Sequence, residues 1–114
     1  MCHVILQLIM LSQGEISEIV DKIKNKAKPD KIYLFGSYAY DRATEKSDLD
    51  LLVVDDSGRD KNKLALEISR TLFLRNFGLD LIVASSFEIQ QKQERKLGFW
   101  INITAKGKKV YERS

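Results

Sequence analysis

Asp48 and Asp50 stand at the head of an apolar run, with Leu49 between them and Leu51-Leu52-Val53-Val54 after them, so two acids open what reads as a buried strand. Asp is depleted in strands, and an ionised carboxylate is seldom buried without a partner. Residues two apart on a strand project from one face, which sets the two carboxylates side by side while Leu49 and Leu51 face the other way. Adjacent carboxylates repel, and a hard divalent cation with oxygen ligands relieves that repulsion.

Upstream, Gly36-Ser37 follows the apolar residues Ile32, Leu34 and Phe35. Glycine lets the backbone approach a ligand closely, and a turn opening into a helix offers free N–H groups to phosphate. A phosphate cradle and a metal-binding acid pair, joined by a short polar connection, suggest a nucleoside triphosphate held with Mg²⁺. Asp55 and Asp56 also sit at a strand end, but Ser57-Gly58 beside them makes a turn the better account. Tyr38 and Tyr40 flank the phosphate turn and suit either packing or base contact. Phe99 and Trp100 fit core packing better than base stacking.

Gly36-Ser37, ten intervening residues and then Asp48-Leu49-Asp50 resemble the signature of the nucleotidyltransferase superfamily typified by DNA polymerase beta. The whole segment from Gly36 to Val54 is similar to its minimal nucleotidyltransferase (MNT) branch. The resemblance continues through a third acid, in Gly78-Leu79-Asp80-Leu81-Ile82-Val83, and a tail from Lys106 to Tyr111. Where many relatives carry Arg-Gly, this chain has Tyr40-Asp41.

The resemblance implies a small mixed or antiparallel sheet flanked by helices, an α+β fold in which three acids converge at one edge. It implies catalytic and metal-binding roles for Asp48, Asp50 and Asp80, and triphosphate binding by Gly36 and Ser37 together with the metal held at Asp48 and Asp50. The acids would hold two Mg²⁺ ions, with ATP as the substrate and AMP passing to a hydroxyl. Asp80 would help to take the proton from that hydroxyl. Ser47 fits a structural hydrogen bond at the strand entry, and Arg42 and Lys46 are weak candidates to replace the missing Arg. Relatives of this branch are commonly antitoxins that adenylylate a tyrosine of a HEPN-type ribonuclease toxin, which makes such a toxin the expected partner. A non-catalytic nucleotide-binding module that neutralises its partner by contact is the alternative, as is a transferase acting on RNA or a small molecule.

A chain of 114 residues allows one domain, spanning 1–114, with a modest core. The acceptor is then recognised by this domain or by an associated chain, and the domain can assemble with itself or with a partner. A net charge of +3 is mild for a nucleic-acid binder, so direct nucleic-acid binding is not expected. Cys2 is the single cysteine and His3 the single histidine, which excludes an internal disulfide and a Cys- or His-based metal site and fits a reducing cytoplasm. The apolar run from Val4 to Leu11 lacks the flanks of a signal peptide and the length of a membrane span; it is expected to begin the first helix or to pack against a partner. Met1 and Met10 are both candidate starts.

The elements that must position the acids follow from periodicity. Ile16, Ile19, Val20 and Ile23 recur at helical spacing before Pro29, and Lys31 to Phe35 reads as a strand. A short helix is expected around Tyr38 to Ala43, then a strand from Leu49 to Val54. A second helical stripe through Leu64, Ile68, Leu72 and Phe73 runs towards Arg75 and is stopped by Gly78. Leu79 to Ala84 reads as a third strand, and Ser85-Ser86 as the cap of a polar helix from Phe87 to about Lys96. Phe99, Trp100, Ile101 and Ile103 are expected to cover the sheet, and Lys109 to Glu112 to form a last short strand. Periodicity does not separate a mixed sheet from a doubly wound parallel one.

Overall fold

The computed structural model describes residues 10–72 and 77–114. The Val4 run up to residue 9, Cys2, His3, Phe73 and Arg75 lie outside the described residues.

Helix α1 (Gln13–Ala27) is bounded by its own chemistry at both ends. The Ser12 hydroxyl accepts from the Glu15 amide at 3.1 Å, while the Ser12 amide donates to the Glu15 carboxylate at 2.9 Å, a reciprocal cap for two otherwise unpaired donors. At the other end Lys28 adopts a left-handed conformation and its amide bonds Lys24, after which Pro29 prevents continuation. The predicted stripe is the buried face, with Ile16, Ile19, Val20 and Ile23 all in the core.

Strands β1 (Lys31–Phe35), β2 (Leu49–Val54), β3 (Leu79–Ala84) and β4 (Lys108–Glu112) form one sheet in the order β3-β2-β1-β4. β1 runs antiparallel to both β2 and β4, whereas β2 and β3 are parallel. The sheet is therefore mixed, and the doubly wound alternative is set aside. Parallel neighbours need a crossover, which helix α2 (Lys61–Thr71) supplies. Asp60 starts it by accepting from the amides of Asn62 and Lys63.

Alternation along the strands sorts side chains into two cores. Leu34, Leu49, Leu51 and Val53 pack with the buried stripes of α1 and α2 on one face. Phe35, Leu52, Val54 and Ala84 pack on the other face with Ile89 and Ile103. Those last two belong to helices α3 (Ser86–Glu94) and α4 (Gly98–Lys106). Covered on both sides, β2 is buried at every position except Asp50, which is half-buried.

Three expectations are corrected. The helix expected at Tyr38 to Ala43 is a single 3-10 turn over Ser37–Tyr40, because Asp41 turns left-handed and closes it. The segment from Phe99 to Ile103 is a helix, yet only Ile103 is fully buried, while Phe99 and Ile101 remain exposed. The polar helix α3 ends at Glu94, and Lys96 takes a left-handed conformation that separates it from α4. Among the described residues no helix is long and apolar enough to cross a membrane.

Candidate active site

β1 ends where β2 and β3 begin, so the C-terminal end of one strand meets the N-terminal ends of the other two. In register, Phe35 lies opposite Asp50 and Asp50 beside Asp80. Paired residues of adjacent strands share a face, so Phe35, Asp50 and Asp80 form one row across the sheet on the side of α3 and α4. The apolar neighbours Leu49, Leu51, Leu79 and Leu81 anchor both acid-bearing strands in the opposite core.

Two glycines close on the acids. Gly36 has φ +70°, and a Cβ there would overlap the Asp50 carboxylate, so both the backbone conformation and the space require glycine. At Gly78 space alone is the constraint: a Cβ there would overlap the Asp48 carboxylate, and the Gly78 carbonyl accepts from the Leu49 amide at 2.8 Å. In the sequence, Gly78 stands out only as a helix stop. Its place immediately before an acid-bearing strand, as Gly36 stands immediately after its neighbour, is the signal that would have found it.

Burial, then the charges of Asp80 and Asp48 and a hydrogen bond from Asp80, push the Asp50 carboxyl up to about 6. Asp50 and Asp80 are thus a coupled pair, with the exposed Asp48 near enough to act on Asp50 through its charge. The described residues contain no group of three or more His, Cys, Asp or Glu side chains already gathered as a metal cage. The donor set is all carboxylate oxygen and suffers like-charge repulsion, which suits a hard divalent ion.

Ser37 opens the 3-10 turn directly after Gly36, with its carbonyl accepting from the Arg42 amide at 3.0 Å. The hydroxyl of Ser47 accepts from the Thr44 amide at 2.9 Å and holds the connecting loop, in agreement with its expected structural role. Arg42 and Lys46 are exposed in that loop. The hydroxyl of Tyr38 accepts from the Leu11 amide at 3.0 Å, and its ring packs on the α1 side, so Tyr38 is a packing residue. A cavity of about 480 Å³ lies beside it, bounded by Ile16, Val20, Leu34 and Val110, and none of Asp48, Asp50 and Asp80 lines it.

The other acids are structural, as the turn account expects. Asp55 is buried and accepts from Arg59 at 2.8 and 3.2 Å and from Ser57 at 2.7 Å. Asp56 accepts from the amide and hydroxyl of Ser86, each at 2.7 Å, tying the far end of β2 to the start of α3. Trp100 is half-buried in the second core under Lys92, whereas Phe99 stands half-exposed with its ring edge-on to Phe35 at 5.8 Å.

The sequence profile described as "Polymerase beta, Nucleotidyltransferase" matches residues 17–114, a stretch that includes every element of the sheet and both acid-bearing strands. The chain belongs to this nucleotidyltransferase family. A protein of Methanocaldococcus jannaschii, provisionally named a protein adenylyltransferase, is 30% identical over 106 residues, covering 90% of this chain and all of that one. Among solved structures, a provisionally named nucleotidyltransferase from Sulfolobus solfataricus aligns with a TM-score of 0.56 at 21% identity, over 86% of this chain and 78% of that one. A complex of the tri-AMPylated Shewanella oneidensis HEPN toxin with its MNT antitoxin aligns with a TM-score of 0.50 at 23% identity, over 90% of this chain and 74% of the matched one. The two structural likenesses establish the nucleotidyltransferase fold.

Proposed function

We propose that this nucleotidyltransferase transfers AMP from ATP to a tyrosine hydroxyl of a HEPN-type toxin and serves as the antitoxin of that pair. The observation that carries the catalytic part is the Asp50-Asp80 row with Gly36 backing onto Asp50. The names borne by the Methanocaldococcus relative and by the Shewanella complex support the choice of AMP and of a protein acceptor.

Mg²⁺ held by Asp48, Asp50 and Asp80 would supply charge neutralisation at the triphosphate and lower the pKa of the attacking hydroxyl. The chain's own groups do the rest. The turn after Gly36 offers backbone N–H groups and the Ser37 hydroxyl to the β- and γ-phosphates, fixing the α-phosphate over the acid row. Asp80, exposed at the edge of the row, accepts the proton of the acceptor hydroxyl. The acceptor oxygen bonds to the α-phosphorus as the bond from that phosphorus to the bridging oxygen of the β-phosphate breaks, and pyrophosphate leaves with the electron pair.

The test is incubation with ATP and Mg²⁺, with and without the protein encoded by the neighbouring gene, followed by intact-mass analysis of both chains. An added AMP on the neighbour that disappears with Asp48→Asn is the expected result. Unmodified chains with nucleotide still bound would leave a nucleotide-binding module acting by contact.

A further inference from the structure

The two outer strands of the sheet are protected unequally. β4 carries Lys108, Lys109 and Glu112 and shifts register against β1 between Ile32 and Tyr33, devices that keep a sheet edge from pairing further. β3, the other outer strand, reads Leu79-Asp80-Leu81-Ile82-Val83-Ala84, without lysine, proline or a bulge. Its apolar residues Leu79, Leu81, Ile82 and Val83 are only half-buried, whereas their partners on β2 are buried.

The carbonyls of Gly78 and Ala84 accept from the amides of Leu49 and Asp55 at 2.8 and 3.0 Å, so the even-numbered residues of β3 turn their backbone groups towards β2. Leu79, Leu81 and Val83 turn theirs outward, and among the described residues those groups have no partner. A row of such groups is a template for a further strand. Helix α2 packs over β3, and Lys63, Glu67, Arg70 and Thr71 line a groove with Lys26 of α1, which marks the side of α2 that faces α1. Ala65 and Ser69, one turn apart, flank the buried Leu64 and Ile68 on the opposite side, the side that overhangs the open edge.

We infer that β3 is a dimerisation edge: a second copy of this chain pairs with it antiparallel across a two-fold axis, joining two four-stranded sheets into one. The edge is self-complementary, as such an interface requires. With Leu81 opposite Leu81 of the second copy, Leu79 meets Val83, and each of these pairs exchanges two hydrogen bonds between outward-facing backbone groups. Asp80 then lies opposite Ile82 of the second copy, whereas centring the pairing on Asp80 would oppose two carboxylates. The half-buried Leu79, Leu81 and Val83 of both copies continue one core across the axis, and the small side chains of Ala65 and Ser69 let the two α2 helices approach. Opposite residues share a face, so both acid rows stay on one side of the joined sheet and neither is covered by the other.

The test is sedimentation equilibrium of the full chain over a wide concentration range, where the mass is expected to rise to that of two chains. Val83→Lys, which places a charge on the edge, and separately Ser69→Arg are expected to weaken association about tenfold or more. Ser69 lies outside the buried stripe of α2, so Ser69→Arg decides the matter should Val83→Lys fail to fold in a thermal melt. Leu66→Ser, on the α1 side of α2, is the control and leaves association unchanged. In a Cys2→Ser background, Leu81→Cys is expected to cross-link two chains under mild oxidation, because residues opposite each other in such a pair bring their Cα atoms to about 5.5 Å, within disulfide range. Lys109→Cys, on the protected edge, is expected not to. A mass of one chain at every concentration, a dimer that Ser69→Arg leaves at full strength, or cross-linking through Lys109→Cys and not Leu81→Cys would each overturn the proposal.

Discussion

At the residue scale the site depends on two carboxylates held against each other and a glycine that makes room for one of them. Gly36→Ala forces a Cβ into the Asp50 carboxylate at φ +70° and is expected to cost about 1–3 kcal/mol of stability and most of the transferase activity. Thermal melts and label transfer measured side by side check both. Asp50 makes a second prediction, with a defined sign. Its carboxyl binds a proton more tightly folded, at about 6, than in an unfolded chain, at 3.8, so ionisation destabilises the metal-free fold as pH rises through 6. Asp50→Asn is therefore expected to stabilise the EDTA-treated protein by about 1–2 kcal/mol above pH 6, after allowance for solvent screening, with the gain vanishing below about pH 4. Melts at pH 4 and pH 7.5 decide it; an equal or greater gain at pH 4 contradicts the coupled pair. The types and spacing of Gly36, Asp48 and Asp50 were legible because strand alternation fixes which side chains share a face. Gly78 was not, since its role depends on how closely Asp48 approaches across the β2-β3 boundary, which spacing within one strand does not report.

At the scale of elements, β2 begins at the acid-bearing edge and ends in a firm anchor. Asp55 is that anchor, buried at 4% side-chain exposure and bonded to Arg59, which holds its carboxyl below the usual range. A lowered acid contributes stability that is fully present above its unfolded pKa and lost as pH falls through the folded one. Asp55→Ala is thus expected to cost about 1–3 kcal/mol at pH 7 and progressively less below pH 4, as followed by urea unfolding across that range. The strands β1, β2 and β3 and the helix α1 were legible from apolar periodicity, Pro29 and the capping serine. α4 was not, because it begins with Gly98 and leaves Phe99 and Ile101 exposed, so its apolar pattern does not follow one buried face. The helix after Ser37 is shorter than its pattern suggests because a left-handed Asp41 ends it; Asp is among the non-glycine residues enriched in that conformation, but most aspartates do not adopt it, so the residue type alone does not mark the stop.

At the scale of the whole molecule, a single mixed sheet is packed by α1 and α2 on one face and by α3 and α4 on the other, and both cores hold the acid-bearing strand β2. Leu51, fully buried in the first core, sits one position from Asp50 on the opposite face. Leu51→Ala is expected to cost about 2–5 kcal/mol and to lower activity only through loss of folded protein, so that the rate per folded molecule stays near normal. The sequence pattern assigns both faces of β2, and the resemblance implies that Asp80 converges with the other two acids; the parallel pairing of β2 with β3 that brings Asp80 beside Asp50 is seen only in the fold, because pairing partners distant in sequence leave no periodic trace. The claim that joins these scales is that acids from two strands act as one centre for nucleotidyl transfer. The most direct test is the rate of label transfer from α-labelled ATP to the partner protein at saturating Mg²⁺, for the unaltered chain and for Asp80→Asn. A loss of at least about a hundredfold, with the fold and partner binding intact, is the predicted result. An Asp80→Asn protein that transfers label at the unaltered rate would contradict it.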